Sequence, residues 1–456
     1  MAEGTHRDPS DREIMRLALP AMAALAADPL LGLVDTALVG RLGPTALAAL
    51  GIDVAVFTTV FVVFNFLTYG TTVEVARLRG AGQPHEAARH AVHALLLAVG
   101  CGVIVTAVLL AGGPLIVRAM GADAVVASPA LAYLRIRALA AVPVLVVAVG
   151  QGAFRGRMDT RTPLWVALAA NAANAALSWA LIYPAGLGVA GAAWGTLLAQ
   201  TGAAGAFLVL GSRAFRVDRN GNALRNALRI EHTALRRITR TSTDLFGRTA
   251  ALLSGLLVAT AVAARMGTVT VAAHQIAQQL WMMLALCIDG FAIAGQALVG
   301  AALGAGHPEQ ARADAHRLLG YGAGLGLVIG AAYLALAGVL PRLFTDDQGV
   351  LAELARVWWI VAALQPIGGI VFVLDGVLMG ASDYRFLLGS TAAAVLGGLI
   401  PVAVTSLWLG WGLTGVWAGM GVFMGIRLAA LVPRLRSGRW ALDEGTAARR
   451  RVGLVG

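Results

Sequence analysis

A few side chains able to hold a proton or a cation lie inside the apolar stretches of this chain. Asp28 and Asp35 share one run, residues 14–39. Their seven-residue spacing is close to two helical turns, so both carboxylates face one way, about 10 Å apart along the axis. Asn171, Asn174 and Ser178 recur at spacings that share one helix face, and Thr196 follows in the next run. A carboxyl among neutral amides and hydroxyls can take up and release a proton, or, given enough oxygens, hold Na+. The second half carries Asp289 and Asp375, with Gln275, Gln278, Gln279 and His274 on the first of those two helices. A charge at mid-membrane is costly and marks a functional site or a paired partner. Each has a plainer reading. Asp35 could end its helix near the outer surface, since Gly40 and Gly43 follow. The amides could be helix-to-helix glue. Asp289 and Asp375 could pair with Arg248, which reads as the lone arginine inside a span. His274 reads as an interfacial residue, and Trp281, Met282 and Met283 as packing or lipid contact.

The elements that position these residues follow from composition. The chain is 58% hydrophobic and 13% charged, with a mean hydropathy of +0.77; soluble domains carry about 25% charged residues. Apolar runs of about 20 residues, enough to cross a hydrocarbon core, follow almost end to end. In lipid such runs satisfy their backbone internally as helices. The expected fold is an all-α polytopic membrane protein of twelve transmembrane helices. They lie near 14–39, 48–76, 90–112, 128–154, 163–184, 189–211, 237–264, 270–300, 315–340, 352–379, 386–409 and 413–435. Pro20, which removes a backbone hydrogen bond, makes the first of them bendable.

The chain also repeats itself 224 residues apart. Arg41, Gly43, Ala48, Ala49 and Ile52 recur as Arg265, Gly267, Ala272, Ala273 and Ile276. Gly80-Ala81-Gly82-Gln83-Pro84 recurs as Gly304-Ala305-Gly306-His307-Pro308, which reads as the same helix C-cap and turn in each half. Gly152, Gly156, Asp159 and Arg161 match Gly376, Gly380, Asp383 and Arg385. Two similar lobes of six helices suit a transporter, because they can rock about a shared cavity. Six is an even number, so both lobes enter from one side and the pseudo-two-fold repeat is parallel. The polar residues do not all repeat. Asp289 and Asp375 fall opposite Asn65 and Gln151, whereas Asp35, Asn174 and Ser178 fall opposite Ala259, Gly398 and Val402.

Every one of the 35 basic residues is arginine. Assigned by loop, 27 fall on one side of the membrane with both termini, Arg427 among them in the C-terminal tail, and seven on the other, Arg137 among them. The positive-inside rule then puts both termini in the cytoplasm of a bacterial-type inner membrane. This clustering in loops argues against a nucleic-acid partner despite the net charge of +11. The expected division is a first lobe at 1–211, a polar connector at 212–236 with a short amphipathic helix near Asn222 to Ile238, and a second lobe at 237–456. Cys101 and Cys287 lack disulfide or metal spacing and read as packing residues. No zinc, haem, P-loop or dinucleotide motif is present, so no cofactor and no resident metal is expected. The polar N-terminus leads into a span of the fold rather than a cleaved signal peptide.

These residues carry a family likeness. Pro20, followed by Asp28-Pro29-Leu-Leu-Gly-Leu-Val-Asp35-Thr-Ala-Leu-Val-Gly40, resembles the first helix of the multidrug and toxic compound extrusion (MATE) transporters. Ala273-His274-Gln275-Ile276, Ile288-Asp289-Gly290 and Leu374-Asp375-Gly376 resemble the DinF branch of that family. The resemblance runs from about residue 10 to 435. It implies an antiporter that expels amphipathic, often cationic, organic compounds in exchange for H+ or Na+. It gives the main protonation or cation site to Asp35, with Asn174 and Thr196 beside it. Many members carry an aspartate one turn after that asparagine. Ser178 stands there in this chain, which weakens a Na+ site more than a proton site.

The resulting expectation is a monomeric secondary transporter, not an enzyme, working on a small organic molecule by alternating access. Protonation of Asp35 would rearrange the first helix about Pro20. One alternative is a flippase for a lipid-linked anionic precursor, which calls for an arginine-rich cavity. Another is a membrane-embedded enzyme, which calls for clustered catalytic or metal-binding residues.

Overall fold

A computed structural model of the chain describes residues 11–215 and 232–441. Those residues are helical throughout, apart from turns. Eleven helices are long and apolar enough to cross a membrane. A twelfth crossing forms if the bent pair Val125–Ala138 and Ala141–Gly156 is one span. The chain is thus the all-helical, multi-pass membrane protein its hydropathy called for. The first half comprises α1 (Asp11–Gly40), α2 (Pro44–Val62), α3 (Asn65–Gly80), α4 (Pro84–Ala119), α5 (Ala124–Ala138), α6 (Ala141–Gly156), α7 (Arg161–Ile182) and α8 (Gly188–Ala214). The second comprises α9 (His232–Arg265), α10 (Thr268–Gly304), α11 (Pro308–Ala335), α12 (Gln348–Gly380), α13 (Tyr384–Ala394), α14 (Ile400–Leu409) and α15 (Gly412–Arg436). A π-helical turn at Val395–Leu399 joins α13 to α14.

Local chemistry accounts for most boundaries. Proline opens α2, α4 and α11, where its missing N–H costs nothing. Asp123 caps α5 by accepting from the N–H groups of Val125 and Val126, and Asp347 caps α12 through Val350. The expected span at 128–154 is broken by a 48° bend between α5 and α6. There the chain tightens to short-range bonds, Leu139 to Ile136 and Ala140 to Arg137. The carbonyl of Ala138 is taken by the Thr106 hydroxyl from α4 at 2.8 Å. The helix planned near Asn222 to Ile238 lies largely outside the described residues; the described backbone resumes at His232.

The repeat is visible in backbone torsions. Gly43, Gly82, Gly186 and Gly188 have positive φ, and so do Gly267, Gly306, Gly410 and Gly412, each 224 residues on. Among the described residues, the two non-glycine ones with positive φ, Met158 and Ser382, are also 224 apart. Helix packing repeats too. A Cβ on Gly152 would strike the Thr68 carbonyl, and one on Gly376 would strike the Ala292 carbonyl, the same two places in each register. Both glycines let two helix backbones approach directly. Gly376→Val is therefore expected to destabilise by at least about 1–3 kcal/mol, as overpacking does. Thermal unfolding of the detergent-purified protein should show the drop. Gly320→Val, where a Cβ meets nothing within 4 Å, should not.

The chain divides into two compact units, Leu19–Ser242 and Thr243–Gly456 with Met1–Ala18. This differs from the expected division at the N-terminus. α1 is one continuous helix, yet its first turns pack in the unit that contains α9 from Thr243 onward and α10–α15. Ile14, Leu17 and Ala18 are fully buried, and Asp11 lies 3.7 Å from Arg317 of α11. The change of unit falls immediately before Pro20. Asp11–Ala18 had been assigned to the first lobe because nothing in the helical pattern breaks there.

Candidate functional site

In the unit Leu19–Ser242 a polar cluster forms where α7 and α8 close on α1. α7 presents Asn174 and Ser178, and α8 presents Thr196, all buried. The two helices meet because Gly195 has no Cβ; one built there would strike the Ser178 hydroxyl. Asn174 Nδ2 donates to Thr196 Oγ1 at 2.9 Å, and Thr196 donates onward to the Ala192 carbonyl at 3.0 Å. Ser178 donates to Asn174 Oδ1 at 3.2 Å. α7 also grips α1 on either side of Asp35. Asn171 Nδ2 donates to the Ala27 carbonyl at 2.9 Å, and the Tyr183 hydroxyl to the Leu38 carbonyl at 2.8 Å.

Asp35 is half-buried and lies beside Ser178. Its Oδ1 is buried without a partner. Hydrogen counting gives this arrangement its chemistry. A hydroxyl has one hydrogen and two lone pairs. Ser178 donates its hydrogen to Asn174, so only lone pairs are left to face Asp35. A protonated Asp35 could donate to them, whereas an ionised Asp35 would compete with Asn174 for the Ser178 hydrogen. The arrangement thus admits two bonding patterns, one for each protonation state of Asp35.

The sequence-derived set Asp35, Asn174, Ser178 and Thr196 is brought together. Asp28 lies in α1, but its side chain is outside the described residues. Pro20 and Pro29 both lie inside the unbroken α1. Three neighbours were missed. Asp53 of α2 is fully buried with neither oxygen hydrogen-bonded. Tyr133 and Arg137 of α5 lie within electrostatic range of it and of Asp35. The signals were present: a carboxylate inside the span expected at 48–76, and an arginine inside that expected at 128–154. Counting Arg137 with the outer loops hid it.

The unit Thr243–Gly456 arranges its charges differently. Asp375 is buried between two guanidinium groups. Arg248 Nη2 binds its Oδ2 at 2.7 Å, and Arg427 Nη2 binds its Oδ1. Arg248 is therefore not the lone arginine inside a span. Arg427, counted with the C-terminal tail, sits within α15 at 1% exposure. Asp289 is half-buried on α10, and Gln275 is exposed. His274 is buried rather than interfacial, 3.3 Å from the Thr260 hydroxyl and against the Trp417 ring. Trp281 is buried against Phe372, while Met282 and Met283 are exposed. Among the described residues, no group of three or more His, Cys, Asp or Glu could hold a metal ion.

A family profile described as MatE matches residues 20–180 and 247–405. Protein DETOXIFICATION 44, chloroplastic, from Arabidopsis thaliana is 34% identical, over 94% of this chain and 83% of its own. DNA damage-inducible protein F from Escherichia coli is 29% identical over 94% of each. A solved structure described as MATE in the bent conformation is 24% identical, covers 98% of each chain, and superposes with a TM-score of 0.86. A MOP superfamily transporter from Pyrococcus furiosus superposes at 0.82 over 94% of this chain and 95% of that one, with 24% identity.

Proposed function

Because this chain belongs to the MATE family of membrane transporters, we propose that it is a proton-coupled exporter of amphipathic organic cations, with Asp35 as the coupling carboxyl. The observation that carries this reading is the hydrogen-bond accounting around Ser178. Ser178 gives its hydrogen to Asn174 beside Asp35, so ionising Asp35 would set the two in competition for it. α7 holds α1 on both sides of Asp35, so rewiring that contact acts on α1 itself, and Pro20 and Pro29 give α1 places to bend. Substrate binds with Asp35 ionised and facing the cytoplasm. Protonation from the outside restores the Ser178–Asn174 bond, shifts α1 and releases substrate outward. H+ suits the site better than Na+, because Asp35 is surrounded there by neutral amides and hydroxyls and Ser178 adds no second charge. Relatives named probable multidrug resistance protein NorM, from Thermotoga maritima and Geobacillus kaustophilus, fit the substrate class. The arginine asymmetry supports a plasma-membrane protein with both termini cytoplasmic; several plant relatives are named chloroplastic.

A second reading, export or flipping of an amphipathic anion, is favoured by one observation. The Arg248–Asp375–Arg427 triad carries a net positive charge when all three groups are ionised. Everted membrane vesicles containing the protein test both readings. Ethidium should accumulate when a pH gradient alone is imposed and should not under a Na+ gradient alone. Accumulation driven only by Na+ would remove the proton-coupling claim. Failure with ethidium but transport of an anionic dye would transfer support to the second reading.

A further inference from the structure

Asp53 has no place in the coupling scheme so far, and its surroundings are hard to explain as packing. It is 0% exposed on α2, among Ala49, Leu50, Val56 and Phe57, and neither carboxyl oxygen has a hydrogen-bond partner. A buried carboxylate without donors is among the costliest arrangements in a protein. The nearest compensation comes from α5. Arg137 lies over the ring of Phe57, one turn along α2 from Asp53, at 5.2 Å from its centroid. Arg137 Nη1 is itself buried without a partner. The guanidinium acts electrostatically on Asp53 and on Asp35 alike, and Tyr133 is within range of all three. The charged and titratable groups around Asp53 are therefore Asp35 from α1 and Tyr133 and Arg137 from α5. α7 and α8 add the neutral Asn174, Ser178 and Thr196 of the adjoining cluster.

The internal repeat supplies the control. At the same register in the second half, Asp35, Asp53, Tyr133 and Arg137 become Ala259, Ala277, Val357 and Val361. All four of those residues are buried. The fold thus builds the same helices with an apolar filling, so the scaffold does not require the charges. Two carboxyls and one guanidinium in one core cannot all be ionised without leaving a buried net negative charge. A proton on one carboxyl removes that charge, and two carboxyls that share one guanidinium titrate as a set rather than singly.

We propose that Asp53 is a second proton-carrying carboxyl of this lobe, exchanging Arg137 with Asp35. When Asp35 gives up its proton it takes the guanidinium, and Asp53, left without it, takes up a proton. When Asp35 is protonated again, Arg137 is released to Asp53, which gives that proton up, so each carboxyl gains and loses one proton per cycle. This deepens, and rests on, the proton-coupled reading above.

The test is pH-difference infrared spectroscopy of the full chain reconstituted in lipid, with Asp35→Asn, Asp53→Asn and Asp53→Glu. The wild type should show two pH-dependent bands of protonated carboxyl groups. Each Asn variant should lose one of them and shift the other, and Asp53→Glu should keep two. Asp53→Asn should also change the pH profile of ethidium accumulation without abolishing transport. If Asp53→Asn leaves the wild-type spectrum intact while Asp35→Asn loses a band, the inference fails and the role of Asp35 stands. If neither variant alters the carboxyl bands, both fail.

Discussion

Asp375→Ala is expected to be among the most destabilising single substitutions this protein can take. It leaves Arg248 and Arg427 buried, at 8% and 1% exposure, with their shared counter-ion gone. Breaking a buried ion pair from one side costs about 3–5 kcal/mol, and here two cations are stranded by one change. The Nε atoms of both arginines already lack partners, so the site has no spare acceptor to offer them. The detergent-purified variant should unfold at a markedly lower temperature or fail to accumulate in the membrane. Arg427→Leu should cost less, because the Arg248–Asp375 pair is left balanced. Replacing all three with apolar residues of similar volume should recover much of the loss. An Asp375→Ala protein as stable as the wild type would show that the triad does not hold α9, α12 and α15 together.

Asp35→Asn should reduce pH-gradient-driven ethidium accumulation at least about tenfold, a loss of about 1.4 kcal/mol of coupling. The amide matches the carboxyl in shape but always carries hydrogens. It can donate to Ser178 at any pH, which locks the cluster in the pattern that keeps Ser178 on Asn174. Substrate binding should weaken, because the neutral amide holds the cluster in the pattern that releases substrate, while no α7 or α8 contact that supports the fold is lost. The signature is a pH-independent residual activity rather than a dead or unfolded protein.

Much of this was legible in the sequence, for reasons that differ by feature. Hydropathy marked the spans because a bilayer tolerates little else. The turns at Gly82 and Gly306 were legible because a left-handed C-cap has a residue signature that repeats at a fixed interval. Asp35, Asn174, Ser178 and Thr196 were legible because costly residues on neighbouring helices must meet something. Long-range partners were not. Arg427 lies 52 residues from Asp375, and no local pattern says that it turns inward rather than joining the basic tail. Arg137 was misplaced because loop counting assigns an arginine near a span end to a membrane side, while the α5–α6 bend keeps it in the core. Asp53 was passed over although a carboxylate inside an apolar span is itself the signal. The change of unit before Pro20 has no signature at all, because α1 stays helical through it.

The second-lobe carboxylates sharpen the central claim, which is that coupling resides where the internal duplication fails, in the first lobe. Proteoliposome transport of ethidium, measured across external pH for the wild type, Asp35→Asn and Asp289→Asn, tests it most directly. The account predicts a strong pH dependence in the wild type, a flat profile for Asp35→Asn, and a wild-type profile shape for Asp289→Asn. A flat profile for Asp289→Asn beside an unchanged one for Asp35→Asn would contradict it.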